Sequence, residues 1–134
     1  MQGIDEANPK DIIGSRKPQL HLIPPSALVL EALVMELGAE KYSPFNWRDK
    51  PVSMNGYLSA IMRHVAQLLD GEDFDSESRI SHLAHIRAGA GILIDAMETG
   101  NLIDNRPPKG AAARLIAQHT KAAPPTPTPT QASE

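Results

Sequence analysis

Apolar and polar positions alternate along the chain in a way that marks out three strong helical stretches separated by short polar breaks. Residues 26–42, SALVLEALVMELGAEKY, form a helical stretch with an apolar face and a solvated edge near Glu31, Gly38 and Lys41. Ser26 is placed to cap them after Pro24-Pro25, and Pro44 ends the stretch near Tyr42. In a second stretch, 55–69, Tyr57, Leu58, Ile61, Met62, Val65, Leu68 and Leu69 fall on one arc of about 140°, with Ser53 as a cap and Asp70-Gly71 as a stop. The third stretch, 76–98, ends before Gly100. It turns Gly89, Ile92, Leu93 and Ala96 inward and Arg87, Asp95 and Glu98 outward. A weaker candidate covers 111–119, with Leu115 and Ile116 as its large apolar residues. The pattern predicts an all-α fold. Residues 1–16 read as a flexible arm, 17–119 as one helical domain that opens with an extended strap at 17–25, and 120–134 as a disordered Pro/Thr-rich tail.

The chemistry in this pattern lies in polar groups on apolar faces. On the first helix Glu36 and Glu40 are about 40° apart among apolar neighbours, while Glu31 is about 140° from Glu36 and reads as solvated surface. Two such carboxylates either share a divalent cation or reach solvent or an arginine at a groove edge. On the third helix His82 and His85, at i and i+3, fall on the inward arc with a spacing that brings two imidazoles to one point. They suit a metal, a phosphate or two satisfied core positions. Between the helices, Glu72, Asp73, Asp75 and Glu77 make the connector strongly acidic, suited to capping a helix or holding a hard cation. Arg63 and His64 stand together at a face border and present two donors to a phosphate, and Lys17 in the strap offers another charge. The loop Asn46-Trp47-Arg48 joins an amide, an indole and a guanidinium. It reads as a nucleobase and phosphate contact, or as a core plug built on the Trp.

Composition narrows the options. The 134 residues contain no cysteine, so a metal must be held by carboxylate or imidazole. A formal charge of −3 without a basic stripe argues against polymeric nucleic acid as partner. No apolar run of about eighteen residues and no signal-like N-terminus is present, which predicts a soluble, cytoplasmic protein with no membrane partner. Three helices with this much apolar arc also leave surface to cover, and a homo-oligomer is expected.

Taken in order, KPxLxLIPPSAL, ELGAEKY, NWR, YLxAxxRHVxxxLDGEDxDxES and HLAHxxAG resemble the phage and bacterial MazZ-type dATP/dGTP diphosphohydrolase family over residues 17–97. That family is related to MazG-like all-α pyrophosphohydrolases. The resemblance implies a MazG-like helical bundle that uses Mg²⁺ or Mn²⁺ to cut a purine deoxynucleoside triphosphate, dGTP ahead of dATP, into monophosphate and pyrophosphate. Its place would be the nucleotide pool of the cytoplasm, the host's if the chain is phage-encoded. It makes Glu36 and Glu40 catalytic carboxylates and metal ligands, with Asp75, His82 and His85 completing the site. Lys17, Lys41, Arg48, Arg63 and His64 are left for the phosphates, and Asn46 and Trp47 for the purine. The chain departs from the family in its Glu36-x-x-x-Glu40 spacing and in having Gly89 where an Asn is common. Non-catalytic nucleotide binding and helical assembly are the alternatives.

Overall fold

A computed structural model describes residues 7–130; the first part of the N-terminal arm and the last residues of the tail lie outside it. The fold is all-α, with elements α1 (Pro9–Gly14), a 3-10 turn (Leu20–Leu22), α2 (Pro25–Tyr42), α3 (Asn46–Asp49), β1 (Val52–Ser53), α4 (Met54–Leu69), α5 (His82–Glu98), β2 (Leu102–Ile103) and α6 (Ala112–His119). The central element is α5, which packs against α4 on one side and α2 on the other.

That position explains why α5 is built from small residues. Ala84, Ala88 and Ala96 are buried along it together with Leu93. A Cβ on Gly89 would meet Ile61 Cγ1 of α4 at 3.3 Å, and one on Gly91 would meet Glu31 Oε1 of α2 at 3.1 Å. An interior Gly costs a helix about 1 kcal/mol relative to Ala, and here close approach on both flanks offsets it. A two-residue parallel ladder, Val52↔Leu102 and Ser53↔Ile103, ties the segment after α5 back to the start of α4. Asn105 reinforces the tie by accepting from Asn55 N at 2.9 Å and donating to Ser53 Oγ at 2.9 Å.

Several expectations are corrected. The described part of the arm contains a short helix, α1, capped by the Asn8 side chain, which accepts from Lys10 N. The strap is not extended, because Ile23 N donates to Leu20 O and closes a 3-10 turn. Ser26 lies inside α2, capped by Pro24 with Pro25 at its first turn, a position that suits proline because its missing N–H has no intrahelical partner. The third helix starts at His82 and not at 76. Asp75 captures the Glu77 and Ser78 N–H groups, Arg79 takes a φ of 65°, and Ser81 becomes the cap by accepting from Leu83 N. Arg87 and Asp95, expected outside, both bridge elements. Arg87 donates to Glu31 of α2 at 3.0 Å, and Asp95 anchors the Trp47 segment. Glu31 is thus the α2 carboxylate that meets α5.

On α2, Leu28, Val29, Leu30 and Leu33 remain exposed. None of the described helices is long and apolar enough to cross a membrane.

Candidate functional site

Four side chains from α4, the connector and α5 converge at one end of the α4–α5 pair. His64 on α4 and His82 at the first turn of α5 bring their Nδ1 atoms to 2.8 Å. His85, one turn along, stacks on His64 with ring centroids 4.7 Å apart and planes 10° from parallel. Asp75 approaches from the connector, and one ligand atom each from His64, Asp75 and His82 lie within 4.8 Å of one another. His82 is fully buried, and its Nε2 donates to Glu72 Oε2 at 2.8 Å. His85 Nε2 lies 2.7 Å from Ser78 Oγ.

The local fold sets these positions. Asp75 accepts from Ser78 N at 2.8 Å and Glu77 N at 3.2 Å, both on Oδ2, so Oδ1 is free of backbone donors. The Ser78 N–H, followed by its side chain, holds the Asp75 carboxyl below the usual carboxylate range. Burial, then the neighbouring His85 and His82, pushes the His64 imidazole below its ordinary value. Burial does the same at His85, where the charges of His82 and Lys41 add to it. Neutral imidazoles are the form that ligates a metal. The imidazoles of His64 and His82 and a carboxylate with a free oxygen form a donor set suited to a divalent ion, and a buried ring whose second nitrogen is held by a carboxylate is the usual arrangement of a metal-bound histidine. The residues therefore fit a divalent cation.

Apart from the cluster residues, α2, α3 and α4 border an open, largely apolar groove of about 620 Å³, lined in part by Tyr42, Phe45, Asn46, Trp47, Tyr57 and Glu36. Its floor is fixed by a polar latch. Trp47 is 5% exposed. Its Nε1 donates to Asp95 Oδ2 at 2.6 Å, and Arg48 donates to both oxygens of Asp95 at 2.9 Å while lying over the Phe45 ring at 4.6 Å. The latch holds a backbone with φ of 84° at Ser43 and 54° at Phe45, values that L-residues seldom adopt.

Arg48, followed by Trp47, pulls the Asp95 pKa down to about 2 from 3.8. A carboxylate whose folded pKa is depressed contributes stability above its unfolded value, and that contribution is lost as pH falls toward the folded one. The expected result is that Asp95→Asn lowers Tm at pH 7 and that its difference from wild type shrinks as pH falls from about 4 to about 2. Because the pair is solvent-exposed, added salt should also narrow the gap. Thermal unfolding across pH and salt checks both trends.

The other sequence candidates separate from the cluster. Glu36 and Glu40 are exposed and stand about 140° and 180° around α2 from Glu31. Neither belongs to the His64–Asp75–His82 group, and Glu36 lines the groove described above. Arg48, expected at the phosphates, pairs with Asp95. His64, expected at the phosphates beside Arg63, lies in the metal-fitting group. Arg63 is exposed and donates to Ser59 Oγ at 3.2 Å, while Lys17 and Lys41 are also exposed. The Asp95 latch and the Glu72–His82 contact were missed. The one signal for the first was the proximity of an indole and a guanidinium in a short loop, both in need of an acceptor.

No solved structure matches the chain. The dATP/dGTP diphosphohydrolase of Salmonella phage PMBT28 is 32% identical over 91 residues, which cover 68% of this chain and 29% of the phage protein, so the chain spans less than a third of that relative's length. The family model for the N-terminal part of dATP/dGTP diphosphohydrolases matches residues 7–106, and it takes in α1 to β2 with the whole histidine cluster and the groove. By that match the chain belongs to the dATP/dGTP diphosphohydrolase N-terminal domain family.

Proposed function

We propose that the chain is a metal-dependent diphosphohydrolase that converts a purine deoxynucleoside triphosphate to the monophosphate and pyrophosphate. The observation that carries the reading is the convergence of His64, Asp75 and His82 in a chain of this family. The activity in the name of the phage relative supports a dATP or dGTP substrate, and we place dGTP first. A divalent cation at this group would neutralise triphosphate charge and lower the pKa of a bound water. Two imidazoles among the donors favour Mn²⁺ over Mg²⁺, which prefers an all-oxygen shell.

The chain's own residues do the rest. Burial holds the His64 and His85 imidazoles below their ordinary value, which favours the neutral form. Lys41, Arg63 and Lys17 are exposed cations able to meet the phosphates, and Lys41 is close enough to His85 to act on its charge. The groove of Tyr42, Phe45, Asn46, Trp47 and Tyr57 suits a planar base, with the Asn46 amide available for its polar edge. Glu36 at the groove and Glu40 beyond it are kept as a second carboxylate pair of the working enzyme. The uncovered apolar residues Leu28, Val29 and Leu33 on the same helix support a homo-oligomer. The setting we assign is the free nucleotide pool of the cytoplasm, the host's where a phage encodes the chain.

Purified protein is incubated with each deoxynucleoside triphosphate and Mn²⁺ or Mg²⁺, and products are separated by chromatography. Monophosphate and pyrophosphate in equal amounts are expected, fastest with dGTP and Mn²⁺. No monophosphate from any nucleotide ends the reading, and nucleotide binding without product leaves a regulator. In the same assay Glu36→Gln and Glu40→Gln are expected to lose most turnover with unchanged helical circular dichroism. Full activity in both confines the site to the histidine cluster.

A further inference from the structure

We propose that Glu72 is a positioning residue of the metal site: by accepting the His82 Nε2 proton it fixes the tautomer that turns the Nδ1 lone pair toward the site. The proposal rests on the reading of His64, Asp75 and His82 as metal ligands.

His82 is fully buried, and both ring nitrogens have a partner at 2.8 Å, Glu72 Oε2 at Nε2 and His64 Nδ1 at Nδ1. A carboxylate only accepts, so Nε2 carries the hydrogen. A neutral imidazole has one such hydrogen, and Nδ1 is then left as a lone pair. That lone pair faces His64 Nδ1 at 2.8 Å, and His64, Asp75 and His82 each bring one potential ligand atom to the same group. Without Glu72 nothing at the Nε2 side selects this tautomer over its opposite, in which the Nδ1 hydrogen blocks coordination.

Glu72 is not itself one of the three grouped ligands. Its oxygen is spent on the far nitrogen of His82, so the ring stands between the carboxylate and the site. The backbone sets this reach from both ends of the connector. Glu72 N donates to Gln67 O at 3.0 Å, fastening the residue to the end of α4, and His82 N donates to Asp73 O at 3.0 Å, fastening the ring's own residue to Glu72's neighbour. An antiparallel bridge between Phe74 and Ser81 closes the loop behind them. The ring and its acceptor are thus held in register by main chain. The Glu72 side chain, 42% exposed, contributes the hydrogen bond with little packing. Carboxylate partners of this kind orient a ligating imidazole and raise its basicity, and their loss weakens metal binding by roughly 10- to 100-fold.

The test uses the full chain and Mn²⁺ as probe. Mn²⁺ affinity is read by electron paramagnetic resonance in wild type, Glu72→Ala, Glu72→Gln and His64→Ala, and the His82 tautomer is read in metal-free protein by long-range ¹H–¹⁵N NMR. Expected are a wild-type His82 in the Nε2–H form, a mixture of tautomers in Glu72→Ala, and a Mn²⁺ Kd raised roughly 10- to 100-fold with unchanged helical circular dichroism. Glu72→Gln keeps an acceptor oxygen and loses only charge. It is expected to hold the tautomer and to bind at an intermediate level, and it carries the test if the alanine variant fails to fold. Wild-type affinity and tautomer in Glu72→Ala overturn the proposal while leaving the metal reading intact. If the wild type binds no Mn²⁺, or His64→Ala binds as tightly as wild type, the metal reading falls and the proposal falls with it.

Discussion

Replacing His64 with alanine is expected to lower turnover by roughly 10²-fold or more, about 2.7 kcal/mol of transition-state stabilisation, while Tm moves by only a few degrees. The asymmetry follows from where the ring sits. It is half-buried, with one nitrogen 2.8 Å from His82 and a face stacked on His85, so its removal opens the site without emptying the core. His82 is the worse probe for that reason. It is fully buried and hydrogen-bonded to Glu72, and its loss would strip a partner from that carboxylate and leave a cavity at the start of α5. The measurements are kcat/KM for dGTP with Mn²⁺, Mn²⁺ affinity, and thermal unfolding of the same sample. His21→Ala, on the exposed 3-10 turn, is the control for loss of an imidazole elsewhere. If His64→Ala kept full activity and Mn²⁺ affinity, the catalytic cation would have to lie elsewhere, with Glu36 and Glu40 as the remaining donors.

How much of this was legible in sequence depended on whether a signal was local. The bounds of α4 were readable because Ser53 caps it through Gly56 N and Asp70-Gly71 closes it, both features of a few consecutive residues. The i, i+3 spacing of His82 and His85 placed both rings on one side of α5 before any packing was known. Their partners were not readable. His64 reaches His82 only through the register of α4 against α5, and Glu72 only through a loop closed by Asp73 and His82 backbone. The acidic run itself hid the true helix start, since Asp75 can cap a turn as readily as begin a helix. The orientation of α2 failed for another reason. Apolar residues dominate that helix, so a helical wheel offers little contrast between faces, and only the Glu31–Arg87 pair and the close approach at Gly91 reveal which side meets α5. The nearest apolar setting made Glu36 and Glu40 look inward when the packed carboxylate was Glu31.

Trp47→Ala is expected to cost about 3–5 kcal/mol, lowering Tm by roughly 10–20 °C for a domain of this size. Trp47 is the largest buried side chain outside the long helices, and in a core otherwise made of alanines, one leucine and one methionine few neighbours can collapse into the space it leaves. Its loss also removes one of the donors that hold Asp95 and frees a loop whose Ser43 and Phe45 backbones sit at positive φ. Trp47→Phe separates the two contributions. It retains most of the volume and forfeits the indole hydrogen bond, which Arg48 continues to replace at Asp95, so a loss of about 1–2 kcal/mol is expected. The two variants also separate structure from recognition, because Trp47 both seals the core and borders the groove. Assayed well below its own Tm, Trp47→Phe should show a raised KM for dGTP with little change in kcat if the indole face contributes to binding the base. An unchanged KM together with the lowered Tm would make Trp47 a plug alone and leave base recognition to Tyr42, Phe45, Asn46 and Tyr57.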